Sequence, residues 1–216
     1  MRTSLAIVAF LTFLTVQPST AASVSINLTL DTSGLASTGA GYQLDLALQG
    51  AANNTALFNN FNFGSGSAVV NPIFPPGVIV TASPLSVQLT DGLGNFGPEY
   101  VFSFTPGMSL SFDLSSTNNS PVDGFPPDAI SIYINDADGN SLPTSDPSGN
   151  NALMILELGG SNPQPQFYAG TRPPLVTRFN TPEPATAGLI ALAASLLGMP
   201  VWPSRSRRAR FRSKPD

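Results

Sequence analysis

The chain has 216 residues, with 13 acidic and 9 basic side chains, no histidine and no cysteine. Without histidine the commonest general base and transition-metal ligand is missing, and without cysteine there is no thiolate or disulfide chemistry. Charge is segregated: no lysine or arginine stands between Arg2 and Arg172, so residues 23–180 set eleven acids against two arginines, a formal charge of −9, which excludes electrostatic capture of nucleic acid.

The first 22 residues read as a secretory signal peptide. Arg2 precedes an apolar stretch from Leu5 to Val16, and small residues follow, with cleavage expected near Ala21 or Ala22. Residues 23–160 then alternate apolar and polar side chains with period two, the pattern of half-buried strands. "SVSINLTL" aligns Val24, Ile26, Leu28 and Leu30; "YQLDLAL" aligns Leu44, Leu46 and Leu48. "EYVFSFT" aligns Tyr100, Phe102 and Phe104, and "MSLSFDL" aligns Met108, Leu110, Phe112 and Leu114. "AISIYIN" aligns Ile130, Ile132 and Ile134, and "ALMILEL" is a fuller apolar run suited to a more buried strand. Between these runs stand Gly, Asn, Asp and Pro, which supply the dihedrals of tight turns. "TPGMSLSFDL" reads as a hairpin with Pro106 and Gly107 at its corner. No segment repeats the helical spacing, so the expected body is a single all-β domain, an antiparallel β-sandwich of jelly-roll type.

Candidate chemistry in this body is sparse. "DADGN" places Asp136, Asp138 and Asn140 at alternate positions, where oxygen ligands could wrap a calcium ion. An EF-hand loop starting at Asp136 needs Gly at 141 and a carboxylate at 147, and the chain has Ser141 and Pro147. The competing reading is a hairpin turn in which Asp and Gly serve the bend; no other cofactor is expected. A serine nucleophile finds no histidine or lysine partner in the body, which removes triad and dyad chemistry. Two carboxylates at a set separation could hydrolyse glycosides, and exposed tyrosines such as Tyr42, Tyr133 and Tyr168 could stack on sugars.

Residues 161–181 are rich in proline and read as a last strand, near Leu175 to Phe179, followed by a linker. Beyond them the character changes. Pro182, Glu183 and Pro184 form an extended tripeptide lacking two N–H donors. The run from Ala185 to Trp202 carries no charge, and as a helix of about 27 Å it falls slightly short of a hydrocarbon core of roughly 30 Å. Arg205, Arg207, Arg208, Arg210, Arg212 and Lys214 follow and hold that end in the cytoplasm by the positive-inside rule.

This order of motif, apolar span and basic cluster over residues 182–216 resembles the sorting signal of PEP-CTERM proteins. The stretch from Asn95 to Leu158 and the start from Ser23 to Leu48 are also similar to one family of such proteins. The resemblance implies a Gram-negative bacterium, export through the general secretion machinery and transient anchoring in the inner membrane. It further implies recognition at Pro182–Pro184 by an exosortase, cleavage there, and transfer to the cell surface or extracellular matrix alongside exopolysaccharide. Pro200 and Pro203 depart from a clean membrane helix. The expected role is that of a non-enzymatic surface or biofilm-matrix protein, with a carbohydrate-binding module or a carboxylate-based glycoside hydrolase as alternatives.

Overall fold

The structure, a computed structural model, describes residues 22–50, 53–92, 97–119, 127–170 and 177–180. The chain divides into two units, Met1–Thr181 and Pro182–Asp216, and all described residues belong to the first. Ala22 opens the first strand, whereas Ala21, the motif at Pro182–Pro184, the apolar run and the arginines from Arg205 to Arg212 lie outside the described residues. No helix among the described residues is long and apolar enough to cross a membrane.

The period-two segments form strands as the alternation requires. In chain order they are β1 (Ala22–Asp31), β2 (Tyr42–Gln49), β3 (Thr55–Asn62), β4 (Ser67–Val69), β5 (Val78–Ala82) and β6 (Leu85–Thr90). Next come β7 (Glu99–Thr105), β8 (Ser109–Asn118), β9 (Ala129–Asn135), β10 (Met154–Glu157), β11 (Pro165–Phe167) and β12 (Thr177–Asn180). A single helical turn, α1 (Ser33–Ala36), follows β1. One sheet has the order β12-β1-β8-β3-β6-β5 and the other β11-β10-β9-β2-β7-β4, with antiparallel pairing throughout. The arrangement is that of a β-sandwich.

The inward side chains of both sheets share one apolar cluster. Ile26, Leu28, Phe58, Leu89, Phe112 and Leu114 from the first sheet join Leu44, Leu46, Phe102, Ile132, Met154 and Leu156 from the second. Rings cross between the sheets, with Phe61 edge-on to Phe102 at 5.8 Å and Phe63 against Phe104 at 6.0 Å. Each such side chain removed from water contributes about 1.5–3 kcal/mol, which is how a body without disulfides holds together.

Two features of the packing differ from what alternation suggests. In β3 the register slips between Asn59 and Asn62, and Asn60 takes the left-handed φ of 54°. The extra residue reverses the parity of the strand, so Phe61 and Phe63 turn inward after Ala56 and Phe58 have done so. The expected hairpin at Pro106 and Gly107 is not one. β7 pairs with β2 and β4, and β8 pairs with β1 and β3, so this corner carries the chain from one sheet to the other. Tight packing fixes the corner: a Cβ on Gly107 would sit 2.3 Å from the carbonyl oxygen of Phe63. The Thr32 hydroxyl also donates to the Gly107 carbonyl at 2.8 Å. Met108, expected on the apolar face of β8, falls in this crossing and is 67% exposed.

Candidate functional site

The turn at "DADGN" is saturated from within. Asp136 Oδ1 accepts the backbone N–H groups of Asp138 at 3.0 Å and Asn140 at 2.8 Å. The Asn140 side-chain amide donates to both Asp136 oxygens, at 3.3 and 3.2 Å. Gly139 supplies the positive φ of 86° that closes the bend, and Asn135 bridges to Ser141 across it. These donors, the Asn140 backbone first, hold the Asp136 carboxyl below its usual titration range. Asp138 is exposed. Asp146 is committed to its own loop, accepting from the Ser148 N–H and hydroxyl and from the Ala152 N–H.

A different pair of acids comes together on the outer face of the second sheet. Asp45 lies on β2 opposite Val101 of β7, and the neighbouring pair is Ala47 and Glu99. Asp45 and Glu99 are therefore diagonal neighbours on one face, within reach of each other. On the other flank β9 presents Tyr133 opposite Asp45, with Ser131 and Asn135 on the same face. Asp45 is only 9% exposed, although its parity directs it away from the core, and its Oδ1 is buried with no hydrogen-bond partner. Asn135 Oδ1 is likewise buried and unpartnered.

The electrostatics follow from that geometry. Burial first, then the charge of Glu99, pushes the Asp45 carboxyl up from 3.8 to about 7, and Asn135 offsets part of the rise. The charge of Glu99 and its hydrogen-bonding proximity both favour the protonated form of Asp45. Burial also raises the Tyr133 phenol, as do the charges of Asp45, Asp146 and Glu99, while Ser131 works against the rise. No lysine or arginine occurs between Arg2 and Arg172, so none of the three strands that build this group carries a balancing cation.

Glu99 lines a groove. Where β4 ends, residues 70–75 continue beside the stretch of β7 that β4 leaves unpaired. Two adjoining clefts of about 520 and 500 Å³ share Asn71 and Val101. Gln43 and Ser103 line one cleft, and Glu99, Ile73 and Pro75 line the other. Tyr100 anchors the segment from beneath, donating its hydroxyl to the Asn71 carbonyl at 2.8 Å and packing against Phe74 at 6.1 Å. Ile73 and Phe74 remain 74% and 47% exposed at the rim.

Of the tyrosines expected to meet sugars, Tyr133 is in the acidic cluster. Tyr42 is buried against Phe104, and Tyr168 lies near the β10–β11 edge, bonded to Gln166. Among the described residues no three His, Cys, Asp or Glu side chains converge as a metal-binding group. The cluster escapes period-two reading because alternation gives a residue's face but not its neighbour on a distant strand. Its one local signal is Asp45 within "LDLAL", where Ala47 leaves room on the outer face for a neighbouring side chain.

A comparison with protein families, curated proteins and solved structures finds no match to this chain.

Proposed function

We propose that this is an exported, non-enzymatic surface or extracellular-matrix protein of a Gram-negative bacterium, sorted by an exosortase and associated with exopolysaccharide. One observation carries the reading. A chain that carries no lysine or arginine between Arg2 and Arg172 places six basic residues at 205–214, directly behind an uncharged run and Pro182–Pro184. Such segregation suits a stop-transfer signal read from the far side of the membrane. The division of the chain between Thr181 and Pro182 supports it, since the body then ends where the processing motif begins. The order β1-β8-β3-β6 in one sheet and β2-β7-β4 in the other supports a jelly-roll reading of the sandwich, with β5 set beside β6 instead of β4. In this reading residues 1–22 are removed on export and 185–202 form the transient membrane helix.

Intact-mass measurement on protein from the native host tests the processing. The expected product ends near Pro184 and depends on the processing enzyme. It also lacks tryptophan, because Trp202 is the chain's only one. Full-length protein retained in the inner membrane when the enzyme is present refutes the sorting.

A second reading, a carbohydrate-binding module, is favoured by the groove along β7. Carboxylates and amides at its floor (Glu99, Gln43, Asn71) can hydrogen-bond sugar hydroxyls, and Ile73 and Phe74 offer an apolar rim. Glycan-array binding lost in Glu99→Gln supports this role, and an array without signal removes it.

A further inference from the structure

A second pair of acids is enclosed at the end of the sandwich where β7 begins. Asp91 directly follows β6 and Asp128 directly precedes β9, and they are 5% and 1% exposed. Asn54, fully buried just before β3, holds both. Its backbone carbonyl accepts the Asp91 N–H at 2.9 Å. Its side-chain oxygen is occupied by the Thr117 hydroxyl at 3.0 Å and the Asn119 N–H at 2.8 Å. That fixes the amide so that Nδ2 donates to Asp128 Oδ2 at 2.8 Å. Gly50 closes over the other Asp128 oxygen, since a Cβ there would fall 1.9 Å from Oδ1.

Asp91 is different, because only one of its oxygens is provided for. Oδ1 accepts the Gly92 N–H at 2.7 Å, while Oδ2 is buried and has no hydrogen-bond partner. Asp91 and Asp128 are both tied to Asn54, which sets their carboxyls beside each other. Buried carboxylates are ordinarily paired with a cationic side chain or a metal ion. The chain has no histidine and places no lysine or arginine between Arg2 and Arg172, so the segments that meet here bring no cation of their own. Among these segments no side chain fills that role, and a shared proton or an ion from solution can.

We propose that Asp91 and Asp128 are the anionic ligands of a calcium site, with the unpartnered Asp91 Oδ2 facing the ion. An all-oxygen donor set without imidazole or thiolate selects a hard cation. Calcium accepts irregular geometry and completes its shell with neutral oxygens, whereas magnesium demands a near-ideal octahedron. The site lies on links between strands, so the ion ties the β6–β7 and β8–β9 connections to the start of β3. It is separate from the 136–140 turn and from the groove, and it stands whether or not the sorting reading does. Affinity in the range of extracellular modules, roughly 10⁻⁴–10⁻³ M, suits two carboxylates.

The test is calorimetry on the full-length chain in mild detergent at pH 7.5, comparing EDTA, 10 mM calcium chloride and sodium chloride of equal ionic strength. Calcium is expected to raise Tm by roughly 3–10 °C, as mass action at 10–100 times Kd requires for a body of this size. Titration of the stripped wild type should give one calcium per chain. Asp91→Asn, close in shape and relieved of like-charge repulsion, should abolish the Tm response, and Asp136→Asn should keep it. Equal Tm in EDTA and calcium overturns the site and leaves the shared proton. A response that survives Asp91→Asn, or that vanishes only in Asp136→Asn, overturns it too. Should Asp91→Asn fail to fold, Asp128→Asn and the wild-type stoichiometry decide.

Discussion

Replacing Asp45 by asparagine should change how stability depends on pH. In the folded protein the Asp45 carboxyl titrates at about 7, raised by burial and by Glu99 from 3.8. Between those two values the native state holds a proton that the unfolded chain has released. The native state therefore binds more protons, and stability falls as pH rises through this window. Moving a carboxyl's titration across it is worth about 4 kcal/mol at full effect. Because part of the rise comes from the charge of Glu99, the loss assignable to Asp45 alone is smaller, about 2–4 kcal/mol. The substituted amide would be neutral at every pH and could offer its N–H groups to Glu99.

The assay is urea denaturation of wild type and variant from pH 4 to 8.5 at one fixed calcium concentration, which holds the Asp91–Asp128 pair in a common state. The wild type should lose stability steadily from about pH 4 to pH 7, and the variant should not. At pH 8 Asp45→Asn should be the more stable by about 2–4 kcal/mol. Parallel curves over the whole range would show that Asp45 ionises freely in the fold, and the argument from burial would be wrong.

Substitutions at three further positions probe other parts of the structure. Phe112→Ala empties a site between Phe58 and Phe61, whose rings lie 6.2 and 5.1 Å away, and should cost about 3–5 kcal/mol in urea denaturation. Asn60→Val forces a β-branched residue to φ 54° and removes a 2.6 Å bond to Asp113, so it should destabilise by about 1–2 kcal/mol, while Asn60→Gly, free of the backbone strain, should cost less. Gly50→Ala would drive a methyl into Asp128 at a φ of 146°, so it should lower Tm in EDTA and also weaken the calcium-induced rise.

How much of this was legible depends on how local each signal is. β1, β2, β7, β8 and β9 all lie in runs of unbroken alternation, β10 lies in the fuller apolar run "ALMILEL", and β12 falls within two residues of the expected last strand. β3 was hidden because its parity reverses at Asn60, so "ALFNNFNF" shows no single period even though four of its side chains point inward. β4 and β11 are three-residue edge strands, too short to carry a pattern. The Pro106–Gly107 corner shows what composition leaves open: the same turn residues serve a hairpin and a crossing between sheets, and only the partners of β7 and β8 decide. Both acid pairs were illegible for the same reason. Asp91 and Asp128 each stand beside Gly or Pro and read as solvent-facing turn residues, yet the links that carry them fold inward and meet.

A body with acids but almost no bases changes what a buried carboxylate can do. In an ordinary domain a nearby arginine would neutralise Asp45 or Asp91, and the contact would be only structural. Here the segments around each pair supply no such partner, so each buried pair keeps a capacity for something from outside. The two pairs differ in access. Asp45 lies beside Glu99, an exposed glutamate that lines an open groove, where a proton or a hydroxyl-rich ligand can come and go with the medium. Asp91 and Asp128 are closed in by Gly50 and Asn54, where an ion that enters becomes part of the architecture. Their dependence on conditions should therefore be opposite in kind. The groove should respond to pH near neutrality, and the closed end should respond to calcium while the acids stay ionised. Stability measured across both variables in one experiment should separate into two independent effects, the first lost in Asp45→Asn and the second in Asp91→Asn. A single effect abolished by either substitution would mean that the two pairs form one coupled system, and the assignment of separate roles would fail.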